Sequence, residues 1–419
     1  MSEIAADTVR AERGGRPWRR PMAARDPAER HRAATPLELF FDLCFVVAVA
    51  QGASELHHSL AEGHVAHGLI GYLLVFFAIW WAWVNFTWFA SAYDTDDVPY
   101  RLLTLLQVGG VLVLAAGVPA AFEHDDFTTA VVGYVIMRVA MVAQWARVAR
   151  QYPAGRPTAL RYAVGIASCQ LGWVLRLALP GPWGWIGFGV LAVAELAVPA
   201  WAELRGPPTS WHPGHINERY GLFALIVLGE SVAAATTAVQ AAISDQGSSA
   251  ALLVLAAGGL LLVFGLWWSY FKHDDTAALR GSLRVVFVWA YSQYGILAAI
   301  AAVGAGLQVA VQTAGHTTQL SPTGAAATVA VPVAVFVLLA GGVYAWIGQR
   351  SPLRQRYLVA VAVLVLLTPL AAGLLSLAGA VVAIGLLVAL VVLASVMLAH
   401  RAVPRTDQQA GFRGANPTT

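Results

Sequence analysis

The stretch GAAATVAVPVAVFVLLAGGVYAWIG, residues 324–348, contains no charged side chain. A helix needs about 20 apolar residues to cross the hydrocarbon core of a bilayer, and this stretch is long enough. Of the 419 residues, 58% are hydrophobic and 12% are charged, and the mean hydropathy is +0.65. Soluble domains carry about 25% charged residues. The sequence therefore predicts an all-α polytopic integral membrane protein whose first partner is the lipid bilayer.

The composition also excludes several other classes of protein. Charge is too sparse for a nucleic-acid-binding module, so no nucleic-acid partner is expected. Cys44 and Cys169 both lie within apolar runs, where neither a disulfide framework nor a zinc site is expected. The chain has no GxSxG, no HExxH and no phosphate-binding glycine loop. No cofactor, no metal and no catalytic residue is predicted, and an enzyme is not the leading interpretation.

Long apolar runs predict about twelve membrane-spanning helices. In chain order these predicted spans cover residues 36–57, 66–91, 99–121, 128–149, 158–179, 183–203, 216–241, 248–271, 283–307, 324–348, 356–376 and 378–399. We refer to them as spans 1 to 12. The chain also has fifteen tryptophans, which are typical of membrane-interface anchors and of packing.

The arginines predict the orientation of the spans. Alternate loops at 58–65, 122–127, 180–182, 242–247, 308–323 and 377 contain neither lysine nor arginine. The positive-inside rule therefore places both termini in the cytoplasm. Residues 1–35, rich in arginine and interrupted by proline, are predicted to be a disordered basic cytoplasmic tail, and residues 401–419 a cytoplasmic C-terminal tail.

Two predicted spans that begin with similar sequences suggest an internal duplication. Span 1 opens with PLELFFDLCF and span 7 with INERYGLFAL, so Glu38 and Glu218 each stand two residues before an aromatic side chain. Tryptophan pairs also precede aspartates near the ends of spans 2 and 8. Many transporters are built from repeats. We therefore expect two parallel six-helix halves, residues 36–207 and residues 208–400.

Ionisable residues inside the bilayer are the candidate functional groups, because each is costly there. In span 1, Glu38 and Asp42 are four residues apart and share one helix face. In span 7, Glu218 and Arg219 stand at the start, and Glu230 lies about 18 Å further along. For Asp42 and Glu230, a proton-linked or cation-linked role and a structural role as a hydrogen-bonded partner both stay open.

Two further polar groups have a structural interpretation. Arg138 in span 4 and Glu195 in span 6 lie near mid-depth and are expected to form a buried ion pair. Histidines crowd one predicted external corner, but their spacing fits no compact metal site, so we interpret them as a solvated polar rim. These histidines are His57, His58, His64 and His67.

The motifs ELFFDLCFV in span 1 and ERYGLFALIVLGESV in span 7 resemble those of the bacterial low temperature requirement protein A (LtrA) family. The resemblance covers about residues 36–400 and implies a multi-pass protein of the bacterial inner membrane. It implies no substrate. By position it marks Glu38, Phe40, Phe41, Asp42, Glu218, Arg219, Gly221, Gly229, Glu230 and Ser231. Cys44 stands where a plain aliphatic residue is expected.

The leading interpretation of function is a transporter or channel-like protein for an unknown small molecule or ion. Its pathway is expected between spans 1 and 7, where the motif carboxylates converge. One alternative is a membrane-embedded enzyme of lipid or isoprenoid metabolism, for which the only candidate groups are Asp94, Asp96, Asp97, His273, Asp274 and Asp275. Another alternative is a sensor of membrane state. The sequence does not indicate an oligomeric state.

Overall fold

The computed structural model of the protein describes residues 18–29, 32–244, 250–348 and 352–402. These ranges contain helices and connecting segments but no β-strand. The α-helices are α1 (Pro36–Ala61), α2 (Val65–Tyr93), α3 (Val98–Ala116), α4 (Val118–Glu123), α5 (Thr128–Gln151), α6 (Arg156–Arg176), α7 (Pro182–Arg205), α8 (Pro213–Ser244), α9 (Ala250–Phe271), α10 (Thr276–Leu279), α11 (Leu283–Ala314), α12 (Pro322–Gly348), α13 (Pro352–Leu367) and α14 (Ala372–Ala402). The all-α membrane architecture is confirmed.

By length and composition, ten stretches of the described chain are candidate membrane spans. Helix α6, which corresponds to predicted span 5, is not among them, and it carries arginines at both ends. Residues Arg356–Met397, which contain predicted spans 11 and 12, count as one stretch. A kink at Ser376 interrupts helix α14 there. The exact number of twelve spans stays a prediction.

Local sequence signals set the beginning of helix α1. Thr35 is the N-cap: its hydroxyl accepts the Glu38 N–H, and the Glu38 carboxylate accepts the Thr35 N–H, which is a capping box. Pro36 occupies the first turn, where its missing N–H costs nothing. One carboxylate of the motif is therefore held in place by the helix that carries it.

Asp97 has a similar capping role at helix α3. Its carboxylate accepts the Tyr100 N–H at 2.9 Å and the Arg20 N–H at 2.9 Å, and it pairs with Arg147 at 2.7 Å. Residues 18–29, part of the predicted disordered tail, form no helix or strand, yet the Met22 N–H also bonds to Gln151 at 2.9 Å. Residues 1–17, 30–31 and 403–419 of the predicted tails lie outside the described residues.

The chain divides into two compact units. One comprises Met1–Glu230 and Asp274–Ala301, and the other Ser231–His273 and Ala302–Thr419. The division falls within helices α8 and α11. It follows different boundaries from the two predicted halves, 36–207 and 208–400, which stay a prediction.

The core of the first unit is strongly aromatic. Trp80, Trp81 and Trp83 on helix α2 and Trp289 on helix α11 are all at most 1% exposed. Three neighbouring tryptophans on one helix point in different directions, so several other helices must cover α2. Helix α2 is accordingly a central element of this unit.

Candidate functional site

The two motif carboxylates of helix α1 are completely enclosed within the first unit. Glu38 and Asp42 lie one helical turn apart and have 0% and 2% of their surface exposed. Charged groups are rarely buried to this extent unless they are paired. Their partners therefore define the site.

Arg219, near the start of helix α8, is the partner that the two carboxylates share. Its Nε and Nη2 donate to the two carboxylate oxygens of Asp42 at 2.9 and 2.6 Å, which is a bidentate pair. Its Nη1 lies 3.2 Å from Glu38 Oε1. The structure thus brings the motifs of predicted spans 1 and 7 into direct contact through Arg219, which is itself fully buried.

Trp83 of helix α2 completes the surroundings of Asp42. Its indole Nε1–H donates to Asp42 Oδ1 at 2.7 Å. The same ring packs edge-on against Tyr220, with ring centroids 4.9 Å apart. Asp42 therefore accepts three hydrogen bonds, all from groups that carry positive charge or a positive dipole, which stabilise its ionised form.

Arg32 is a second buried cation, just before helix α1. It lies 3.6 Å from Glu38 and donates to the carbonyl oxygens of Ser91 and Ala90 in the last turn of helix α2. A cation is favoured at the C-terminal end of a helix, where unpaired carbonyls gather. Burial lowers the pKa of Arg32 from its ordinary value, while Glu38 opposes that shift.

Two histidines at the start of helix α8 close the site. His215 Nε2 lies 3.3 Å from the Glu38 carboxylate. His212 Nδ1 accepts the His215 N–H at 3.0 Å, so the proton of the neutral ring is on Nε2, which faces the Glu29 carbonyl at 2.8 Å. We call Arg32, Glu38, Asp42, His215 and Arg219 the buried charge cluster.

The buried charge cluster balances its charge but not its hydrogen bonds. Two carboxylates face two guanidinium groups, so the cluster is neutral when His215 is neutral. Among the described residues, Glu38 Oε1, His215 Nδ1 and Arg219 Nη1 find no hydrogen-bond partner of good geometry. Such groups are costly to leave unsatisfied. A proton or a water molecule would be stabilised among them.

Several other predicted site residues lie outside this cluster. Phe41 is buried, whereas Phe40 is 45% exposed. Glu218 and Gly229 are exposed, Gly221 and Glu230 are half-buried, and Ser231 is buried. No hydrogen bond or ion pair joins Glu230 to another described residue. Of the residues predicted for the pathway, the structure brings together Glu38, Asp42 and Arg219.

The residues predicted as a structural ion pair lie in a second buried polar group. Arg138 Nη2 is 3.7 Å from Glu195 Oε2, and both side chains are at most 2% exposed. Trp81 and Trp173 donate to Glu195 at 2.8 and 3.3 Å, and Arg138 donates to the Tyr134 hydroxyl. Both carboxylate oxygens of Glu195 have hydrogen-bond partners among the described residues, whereas Arg138 Nε has none.

The acids considered for an enzyme have structural partners in the described chain. Asp96 pairs with Arg101 at 2.7 Å, Asp97 caps helix α3, and Asp275 accepts the indole N–H of Trp289 at 2.7 Å. Burial and the nearby Glu38 raise the pKa of Asp94 to about 6. Nothing in these contacts favours a catalytic arrangement.

Arg32, Trp83, His212 and His215 are the site residues that sequence reasoning missed. Arg32 and His212 lie in the segments before helices α1 and α8, Trp83 lies on helix α2, and His215 lies on α8 just before the second motif. The only sequence signal was the pair of histidines in WHPGHIN, residues 211–217, directly before the second motif. Histidine before a helix is too common to indicate a buried site.

Comparison with known proteins shows the family of the chain. The family model for the bacterial low temperature requirement A protein (LtrA) matches residues 33–395, a range that includes both motifs and nearly all the described helices. The chain is also 27% identical over 290 residues to the uncharacterized protein RA0937 of Rhizobium meliloti (strain 1021), covering 64% of this chain and 67% of the relative. The chain is thus a member of the bacterial low temperature requirement A family of integral membrane proteins.

Proposed function

We propose that this protein is a proton-linked transporter of the bacterial cytoplasmic membrane in which the buried charge cluster controls the contact between helices α1 and α8. The observation that carries the proposal is the position of Arg219, whose side chain has no exposure to solvent. It forms a bidentate pair with Asp42, and its Nη1 lies 3.2 Å from Glu38 Oε1. The distribution of arginines supports a topology with both termini in the cytoplasm.

A purely structural role explains this cluster poorly. Burying an ion pair costs desolvation free energy, and the attraction between the two charges often does no more than offset that cost. Apolar residues of similar volume would therefore hold two helices together as well or better. Charged groups within membrane-spanning helices are expensive and typically mark ion or proton pathways. The cluster is therefore better explained by a requirement for charge than by a requirement for stability.

Protonation is the event that would change the contact between α1 and α8. A proton on Asp42 or Glu38 leaves the guanidinium groups in excess and weakens the attraction of α1 for Arg219. A buried unpaired cation is unstable, so the helices or nearby water must rearrange. Proton uptake is thereby coupled to the separation of two membrane-spanning helices, which is the step that alternating access requires.

Glu230 supplies a second proton-binding candidate on the same helix. It lies eleven residues beyond Arg219, about 16 Å along the axis at 1.5 Å per residue. It is half-buried and has no hydrogen-bond or ion-pair partner among the described residues. A carboxylate in such a position is available for a proton rather than committed to a structural pair.

The test is proton flux into proteoliposomes that contain the purified protein and an internal pH dye, under imposed pH gradients and potentials. Flux should be present in the wild type and lost in Asp42→Asn, and it should fall in Glu230→Gln. Asp126→Asn, an exposed acid in a loop, is the control and should transport normally. Flux that survives in Asp42→Asn and Glu230→Gln alike would reject the proposal, as would a wild type that conducts no protons.

A further inference from the structure

An aromatic cleft lies within the first unit, apart from the buried charge cluster. The non-atom space there is about 640 Å³, a volume that includes open solvent, and the lining includes residues of helices α2, α5, α6, α7 and α11. We define the aromatic cleft by Trp81, Trp88, Trp145, Tyr162, Trp211 and Tyr291, together with Glu203. Ligand sites are commonly concave and apolar with a few convergent polar groups, and this cleft has that character.

The rings that line the aromatic cleft contact one another in pairs. Trp88 and Trp211 are in edge contact at 4.9 Å with an interplanar angle of 72°, and Trp145 stacks on Tyr162 at 4.2 Å and 5°. The faces of such rings carry negative electrostatic potential. A cavity walled by four tryptophans is therefore attractive to a cation with an apolar surface.

Glu203 contributes a carboxylate at the edge of the cleft. Its carboxylate accepts from the Tyr162 hydroxyl at 2.9 Å, from the Thr209 hydroxyl at 2.8 Å and from the Thr209 N–H at 2.9 Å. These donors favour the ionised carboxylate, whereas its burial opposes ionisation. Glu203 is 7% exposed, yet no arginine, lysine or histidine nitrogen of the described chain lies within 4.0 Å of it.

A second aromatic site in the same unit shows the contrast. There the Arg176 guanidinium lies over the rings of Phe127 and Phe188, at 4.7 and 5.1 Å from their centroids. That site contains its own cation. The aromatic cleft has the rings and a buried carboxylate but lacks the cation, and a buried charge is normally paired.

We infer that the aromatic cleft binds a monovalent organic cation with an apolar body, such as an alkylammonium or arylammonium ion. The cation would provide the counter-charge of the Glu203 carboxylate while its alkyl or aryl groups contact the tryptophan rings. A neutral acyl chain could fill the apolar walls but would leave Glu203 without a counter-charge. This assignment names a substrate class for the proposed transporter, and in that sense it rests on the proposed function.

The test measures equilibrium binding without any gradient. The full chain in phosphatidylglycerol nanodiscs is titrated with benzyltrimethylammonium, and intrinsic tryptophan fluorescence is followed. Neopentylbenzene, its neutral carbon isostere, is the matched ligand and should bind at least about tenfold more weakly, the loss expected when a buried charge pair or cation–π contact is missing. Equal affinity for the two ligands, or no saturable binding of the cation, would overturn the inference.

Variants locate the site. Glu203→Gln should weaken binding of the cation about tenfold and leave the affinity for the neutral isostere unchanged. Glu203→Asp, which keeps the charge, should lose less affinity for the cation. Trp211→Phe should weaken binding severalfold, and Trp185→Phe, outside the cleft, should not. Wild-type affinity for the cation in folded Glu203→Gln, judged by thermal melting, would refute the site. If that variant fails to fold, the comparison of the two ligands on the wild type decides.

The lipid composition of the nanodisc distinguishes two sources of the ammonium group, a lipid headgroup and a free cation. If addition of phosphatidylethanolamine competes with benzyltrimethylammonium, the natural occupant is a lipid headgroup; if it does not compete, the occupant is a free cation. Both outcomes support binding of an ammonium group. Because binding needs no proton flux, cation binding without flux rejects only the transporter, and flux without cation binding rejects only the cleft.

Discussion

Arg219 and its neighbour Glu218 show that adjacent charged residues on one helix can have opposite surroundings. Arg219 satisfies Asp42 by two hydrogen bonds and faces Glu38, and all three side chains are at most 2% exposed. Its neighbour Glu218 on the same helix is exposed. One residue step along a helix turns a side chain by about 100°, so the motif pair divides into a buried cation and a surface acid.

At this scale we expect Arg219→Gln to be strongly destabilising, because it leaves two buried carboxylates without their shared cation. Removing one partner of a buried pair costs about 3 to 5 kcal/mol. Arg219→Lys, which keeps the charge but not the bidentate geometry, should lose less. Thermal unfolding in detergent measures the difference, with Glu218→Gln as the control. Equal melting temperatures for Arg219→Gln and the control would show that the cluster does not stabilise the fold.

Glu195 leads to a parallel prediction. Glu195→Gln keeps an acceptor for Trp81 or Trp173 but removes the negative charge beside Arg138. We expect a marked fall in melting temperature and in expression, since an unpaired arginine at that depth is poorly tolerated. A protein that expresses and melts like the wild type would show that Arg138 does not depend on Glu195.

The segment between helices α2 and α3 contains a carboxylate whose ionisation opposes folding. Burial, together with Glu38, raises the pKa of Asp94 to about 6, compared with about 3.9 in an unfolded chain. The folded protein then binds this proton more tightly than the unfolded chain does. The contribution of Asp94 to stability is fully present below about pH 4 and is lost as the pH rises through about 6.

Asp94→Asn should therefore remove part of the pH dependence of stability between about pH 4 and 6. Melting temperatures of wild type and variant across this range provide the measurement, and the variant should gain most at the upper end. Parallel curves would mean that Asp94 titrates at its ordinary pKa.

Asp97→Ala is predicted to lower the free energy of unfolding by about 1 to 2 kcal/mol, because it removes the N-cap of helix α3.

Sequence patterns predicted the helices better than the partners of the buried charges. Apolar runs located the membrane-spanning helices because length and hydropathy alone set that requirement. Spacing also placed Glu38 and Asp42 on one face. Patterns did not indicate Arg32, which precedes helix α1, or His215, which lies in the first turn of helix α8, since each joins the site only through tertiary contacts. Glu203, the last residue of predicted span 6, was missed because an acid at a helix end is ordinarily solvated.

At the scale of the whole molecule, helix α6 decides the topology. Twelve spans require α6 to cross the membrane, which places residue 180 outside and residue 205 inside. If α6 does not cross, residue 180 lies inside. Single cysteines at Pro180 and Arg205, both exposed positions, can be introduced after Cys44 and Cys169 are replaced by alanine. An impermeant maleimide should label Pro180→Cys in intact cells and Arg205→Cys only after permeabilisation. The reverse pattern would reject the twelve-span topology.

Proton flux per reconstituted molecule tests the central claim most directly, with wild type and Asp42→Asn compared at matched protein content. The account predicts gradient-driven flux in the wild type and a loss to the background of empty liposomes in Asp42→Asn, because the cluster then has no Asp42 carboxylate to protonate. Asp42→Asn protein that is folded, as shown by its melting transition, and that conducts protons at the wild-type rate would contradict it.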